Sequence, residues 1–231
     1  NTLPAGDIVE NTADIEYSSR PGTVDDTSTF LADGSDSERT GDPTDPGGAL
    51  NDYTVTDDAS FDVPDPSFVK SLVTTSDPNT TDATIGETIT YDLTVTFTEG
   101  LTQAVTITDN GQDNANGVLE ILSAEVFSVG NNVSLGSGLV AGNDNSSNPG
   151  LITISNSTGS AVNDQVVLDF GDVTNAADNT ADSDDQVIVR VTALVVDAAA
   201  NQDGDSLLNE ATLEYTDGQG DDQSISSDVS I

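Results

Sequence analysis

From Gly86 to Phe97 the chain reads GETITYDLTVTF, and Ile89, Tyr91, Leu93, Val95 and Phe97 fall on every second position. A two-residue period places those side chains on one face of an extended strand and the Thr and Asp between them on the other. Shorter segments repeat the pattern: Phe68–Val73, AVTITD ending at Asp109, Leu119–Val129, Leu151–Ser155, Val166–Phe170, Val187–Val195, Leu207–Tyr215 and Ser224–Ile231. Between them lie turn clusters such as DNGQDNANG, GNDNSSNPG and AAANQDGD. Short alternating strands punctuated by Gly, Asn and Asp specify an antiparallel sandwich rather than a βα repeat. No segment carries helical periodicity with caps.

The first third is organised differently. Ile8–Tyr17 and Tyr53–Val63 read as strands, and Ser18–Asp52 between them is a long polar loop rich in Asp, Gly, Pro and Ser. Pro64-Asp65-Pro66 then makes a stiff connector. We expect residues 1–66 to be the last strands and Asp-rich loop of a preceding repeat, and residues 67–231 a complete sandwich repeat. The reason is an internal match. NTADIEY at 11–17 repeats as NEATLEY at 209–215, with Gly6-Asp7 and Gly204-Asp205 at the same offset upstream. Ser60–Val63 likewise matches Ser226–Val229. A lone strand pair cannot bury its own apolar face.

Composition narrows function mainly by exclusion. Cys, His and Met are absent, which removes disulfides, thiolate or imidazole metal sites, and Ser-His or Cys-His nucleophiles. Four basic residues stand against 42 acidic ones, a net charge of -38 that repels nucleic acid and anionic membranes while attracting hard divalent cations. No run of apolar residues is long enough to span a bilayer as a helix.

Three polar residues break the alternation on the apolar side. Lys70, the only lysine, is in phase with Phe68 and Leu72; Asp109 with Val105 and Ile107; Asn209 with Leu207, Ala211 and Leu213. Burial favours the neutral amine of a lysine, which is the nucleophile, and keeps a carboxyl protonated so that it can donate to a carbonyl oxygen. Lysine, asparagine and an assisting acid are the trio required for a spontaneous side-chain amide. A strand-edge lysine snorkelling to water beside one of many carboxylates is the plainer alternative.

The motifs IGETITYDLTVTF, AVTITD and NEATLEY, with a lysine strand before them, resemble the isopeptide-forming repeat domains of bacterial fimbriae and surface adhesins. The resemblance runs from Phe68 to about Tyr215. It implies an immunoglobulin-like sandwich related to collagen-adhesin stalk modules, with Lys70 as amine donor, Asn209 as acceptor and Asp109 as the acid. Glu87 or Asp92 could serve instead if the strand phase slips.

Acidic turns supply candidate calcium ligands: Asp33, Asp36, Asp42 and Asp45 in the long loop, Asp203 and Asp205 in NQDGD, and Asp182 with Asp184 before a strand. None completes an EF-hand loop. The expected function is a structural module of an extracellular filament, fimbria or adhesin stalk at the bacterial surface. Its partners would be neighbouring repeats or copies of itself, and it would not be an enzyme beyond acting on itself. The competing reading is a calcium-dependent recognition domain for a glycan or protein.

Overall fold

The computed structural model describes residues 3–18, 52–77, 82–113, 117–157, 162–204 and 206–231. In chain order the strands are β1 (Ile8–Ser18), β2 (Asp52–Asp62), β3 (Ser67–Thr75), β4 (Thr88–Thr96), β5 (Gly100–Asn110), β6 (Gln112–Asp113) and β7 (Gly117–Val129). Then come β8 (Val133–Leu135), β9 (Ile152–Ser155), β10 (Gln165–Asn175), β11 (Gln186–Val195), β12 (Leu208–Thr216) and β13 (Asp222–Ser230). A single 3-10 turn, Ser183–Asp185, precedes β11, and no α-helix occurs among the described residues.

Two compact units result. One takes in Asn1–Ile8 and Asp62–Ile231, the other Val9–Phe61. The larger unit is an all-β, antiparallel, immunoglobulin-like sandwich. One sheet runs β13-β12-β5-β10-β8, with β9 also on β10; the other runs β3-β4-β11-β7-β6. The alternation explains both faces. On β4, Ile89, Tyr91, Leu93 and Val95 are fully buried, and on its partner β11 so are Val187, Val189, Val191 and Ala193. The opposite sheet answers with Val105 and Ile107 of β5 and Val166, Leu168 and Phe170 of β10. Intervening Thr residues take the outer faces, where branched side chains still suit the pleat.

β10 continues past Phe170, where the sequence pattern stops, to Asn175. Gly171, at φ +62°, occupies a register shift against β5, and the bulge bends the strand without ending it. β6 and β8 are too short to show periodicity. The larger unit also includes Leu3–Ile8, which sequence reading assigned to a preceding repeat. The Ala5 N–H donates to the Leu101 carbonyl, the Leu101 N–H to Leu3, and the Gly218 N–H to Ala5. Gly218 makes that approach possible, because a Cβ there would lie 2.5 Å from the Asp7 Cβ.

β3 and β13 form the adjoining edges of the two sheets. The Lys70 N–H on β3 donates to Ser227 Oγ on β13 at 2.9 Å. Both strands run from the pole holding Ser67 and Asp222 toward the pole holding Thr75 and Ser230. The smaller unit is the two-stranded sheet β1-β2.

Candidate functional site: a buried lysine, aspartate and asparagine

β3, β5 and β12 carry the alternation that aims Lys70, Asp109 and Asn209 inward, and all three are buried. Lys70 Nζ lies 2.5 Å from Asp109 Oδ1, with both side chains wholly shielded from solvent. Asp109 is opposite Ala211 in the β5–β12 ladder, so Asn209 follows two residues along on the same face. Tyr91, from the facing sheet, completes the group. Its ring centroid is 4.7 Å from Lys70 Nζ, and its hydroxyl stands beside the Asn209 side chain without closing a hydrogen bond.

Burial dominates the electrostatics. Desolvation pushes the Lys70 amine below its ordinary pKa against the opposing pull of Asp109, and pushes the Asp109 carboxyl above its own against Lys70. Each shift is toward the uncharged form, a neutral amine facing a carboxylic acid, and the ion-pair attraction between the two groups opposes it. Tyr91 is pushed up as well, by burial and the neighbouring carboxylate.

Polar satisfaction is worst at this site. Among the described residues, six buried side-chain atoms have no hydrogen-bond partner, and four of them belong here: Tyr91 Oη, Asp109 Oδ2, and both Oδ1 and Nδ2 of Asn209. Each orphan costs about 1–3 kcal/mol. Both ends of the Asn209 amide are unengaged in a dry core, beside an amine biased toward its nucleophilic form.

The two alternative acids are committed elsewhere. Asp92 faces outward on β4 and receives Arg190 Nε and Nη2, both at 2.8 Å, while Arg190 lies over the Phe127 ring. Glu87 accepts the Thr84 N–H in a turn. Sequence reasoning named three members of the site and missed Tyr91, counting it only as core. The available signal was a hydroxyl at an inward position, where an aromatic would otherwise be Phe.

Of the candidate calcium ligands, Asp182, Asp184 and Asp203 are described. Asp33, Asp36, Asp42, Asp45 and Asp205 lie outside the described residues. Asp182 caps the 3-10 turn, accepting the Asp184 N–H, and Asp184 accepts Asn131 Nδ2. Asp203 is exposed. Beside it, Asn201 is occupied with backbone: its Nδ2 donates to Val118 and Val196 carbonyls, and its Oδ1 accepts the Val118 N–H. Among the described residues, no three acidic side chains group closely enough to hold an ion.

No family model and no curated protein matches this chain. Solved structures similar to it include the full-length major pilin SpaD of Corynebacterium diphtheriae, at 12% identity and TM-score 0.42, covering 72% of this chain and 34% of that one. The major pilin subunit BcpA of Bacillus cereus is similar at 11% identity and TM-score 0.38, over 79% of this chain and 58% of that one. The collagen-binding subdomain of the Enterococcus faecalis surface protein ACE is similar at 15% identity and TM-score 0.36, over 71% and 96%. The chain thus spans less than two thirds of either pilin.

Proposed function

We propose that the sandwich is a structural module of an extracellular bacterial filament, fimbria or adhesin stalk, stapled by an amide between Lys70 and Asn209. The observation that carries this reading is the buried 2.5 Å Lys70–Asp109 contact beside an asparagine amide with no partner at either end. The neutral Lys70 Nζ attacks Asn209 Cγ while protonated Asp109 donates to the amide oxygen and stabilises the developing oxyanion. The Nζ–Cγ bond forms, the Cγ–Nδ2 bond breaks, and Nδ2 leaves as ammonia with a proton relayed from Nζ through Asp109. No cofactor is consumed, and the chain acts once, on itself. The product replaces a buried amine and an orphaned amide by one secondary amide whose N–H and C=O can both face the Asp109 carboxyl.

Closing the chain from residue 70 to residue 209 removes freedom from the unfolded state, by analogy with a disulfide on the order of 5 kcal/mol. That suits a module that must persist outside the cell without cysteine. Its acidity keeps it soluble and away from anionic surfaces. Intact mass of the purified chain is the test. One ammonia less than the sequence requires is expected, with the full mass regained in Lys70→Ala and in Asn209→Ala. A folded wild-type chain at the unreacted mass overturns the reading. Calcium at the acidic turns is a separable part of the proposal, tested by titrating the ion during thermal unfolding; an unchanged melting temperature removes it.

A further inference from the structure

The β1–β2 hairpin has two unlike faces. Asp14 on β1 accepts Thr56 Oγ1 from β2 at 2.7 Å, which sets the even-numbered positions of both strands, polar except for Ile8, on one side. The odd-numbered positions therefore share the other side: Val9, Asn11, Ala13 and Ile15 with Val55, Asp57, Ala59 and Phe61. Apart from Asn11 and Asp57 that side is apolar, and it is open, with Ile15 58%, Val55 51% and Phe61 58% exposed. In the matching hairpin, the counterparts of Asn11, Ala13 and Ile15 are Asn209, Ala211 and Leu213, all fully buried where β12 lies along β5.

We infer that β1–β2 is the closing hairpin of a second sandwich of this fold, one whose own last two strands are absent, and that it brings Asn11 into that core. The face β1 presents continues an interface already visible in this molecule. β12 meets β5 from Glu210 opposite Asn110 to Thr216 opposite Gln103, with its Asn, Ala and Leu turned toward the facing sheet. A partner with a free β5-type edge would offer β1 both the backbone ladder and the apolar seat that its sequence matches. Asn11 would then stand to that partner's lysine as Asn209 stands to Lys70. This last part rests on the stapling reading; the docking does not.

The test is a fusion in which residues 67–204 run directly into Asp7–Ile231, joined at the matched glycines Gly204 and Gly6. The added segment is a sandwich deprived of β12 and β13, with β1–β2 next in line. Amide exchange across Asn11–Ile15 should slow by about 100-fold or more relative to the unfused chain. The fused protein should lose two ammonia molecules, and Asn11→Ala in it should lose one while keeping the protection. Unchanged exchange in the fusion, or an added segment that does not fold, overturns the inference. So does protection in the unfused chain that rises with its concentration, which would give the face to self-association. Protection without any loss of ammonia supports the docking and removes only the staple. Loss of ammonia from the Lys70–Asn209 pair without protection of β1 does the reverse.

Discussion

Ile15 and Leu213 hold the same place in two matching heptapeptides, yet Ile15 is 58% exposed and Leu213 fully buried. Alternation along each strand decides which side chains share a face, and in both hairpins it does so identically. Whether the face is covered depends on the next strand: β12 has β5 beside it and a second sheet across from it, whereas β1 is paired with β2 in a two-stranded sheet. Identical local instructions thus give a core in one place and an unpartnered surface in the other.

The largest expected effect breaks the contrast from the side of the sandwich. Lys70→Ala removes the proposed staple, and a loss of about 5 kcal/mol in a unit of this size lowers the melting temperature by roughly 10–20 °C. Scanning calorimetry measures it, with β1–β2 amide exchange left unchanged. Next in size, Leu213→Ala should cost about 2–5 kcal/mol through the cavity it leaves. Its matched counterpart Ile15→Ala should move stability by about 0.5 kcal/mol or less. Chemical denaturation of the two variants side by side decides whether the heptapeptides differ as the burial says; equal costs would erase the comparison.

The smallest effect is acid dependence at the tip of the buried hairpin. Asp217 accepts the Gln219 and Asp221 N–H groups, both at 2.9 Å, and Gln223 Nε2 at 2.7 Å, and these bonds hold its carboxyl below the ordinary value. A folded pKa below the unfolded one contributes stability above the unfolded value of about 3.8 and loses it as pH falls through the folded one. Protection factors at Gln219–Asp221, corrected for intrinsic exchange, should therefore fall on acidification below about pH 4. Asp217→Asn should flatten that dependence.

The same contrast separates what could be read from the sequence. The inward aim of Lys70, Asp109 and Asn209 was legible because parity within a strand needs no knowledge of its neighbours. The contribution of Tyr91 was not: its strand belongs to the other sheet, and only the packing of the sheets brings its ring to Lys70 and its hydroxyl to Asn209. The continuation of β10 to Asn175 was hidden because the alternation stops at Phe170, and only the bulge at Gly171 carries the strand on. The structural duties of Asn201 were hidden for a similar reason: an amide in an acidic turn looks like a ligand until Val118 and Val196 are found beside it.

The adjoining edges β3 and β13 run in the same direction, tied by Lys70 and Ser227. A chain pulled from Ser67 at one pole and Ser230 at the other would drag these strands past one another lengthwise. Their contacts would then be loaded together in shear, not opened one at a time like a zipper. A clamp of that kind fails abruptly and at high force. With an amide from Lys70 to Asn209, tension would pass from the first four residues of β3 into β12 and β13, leaving the intervening strands slack.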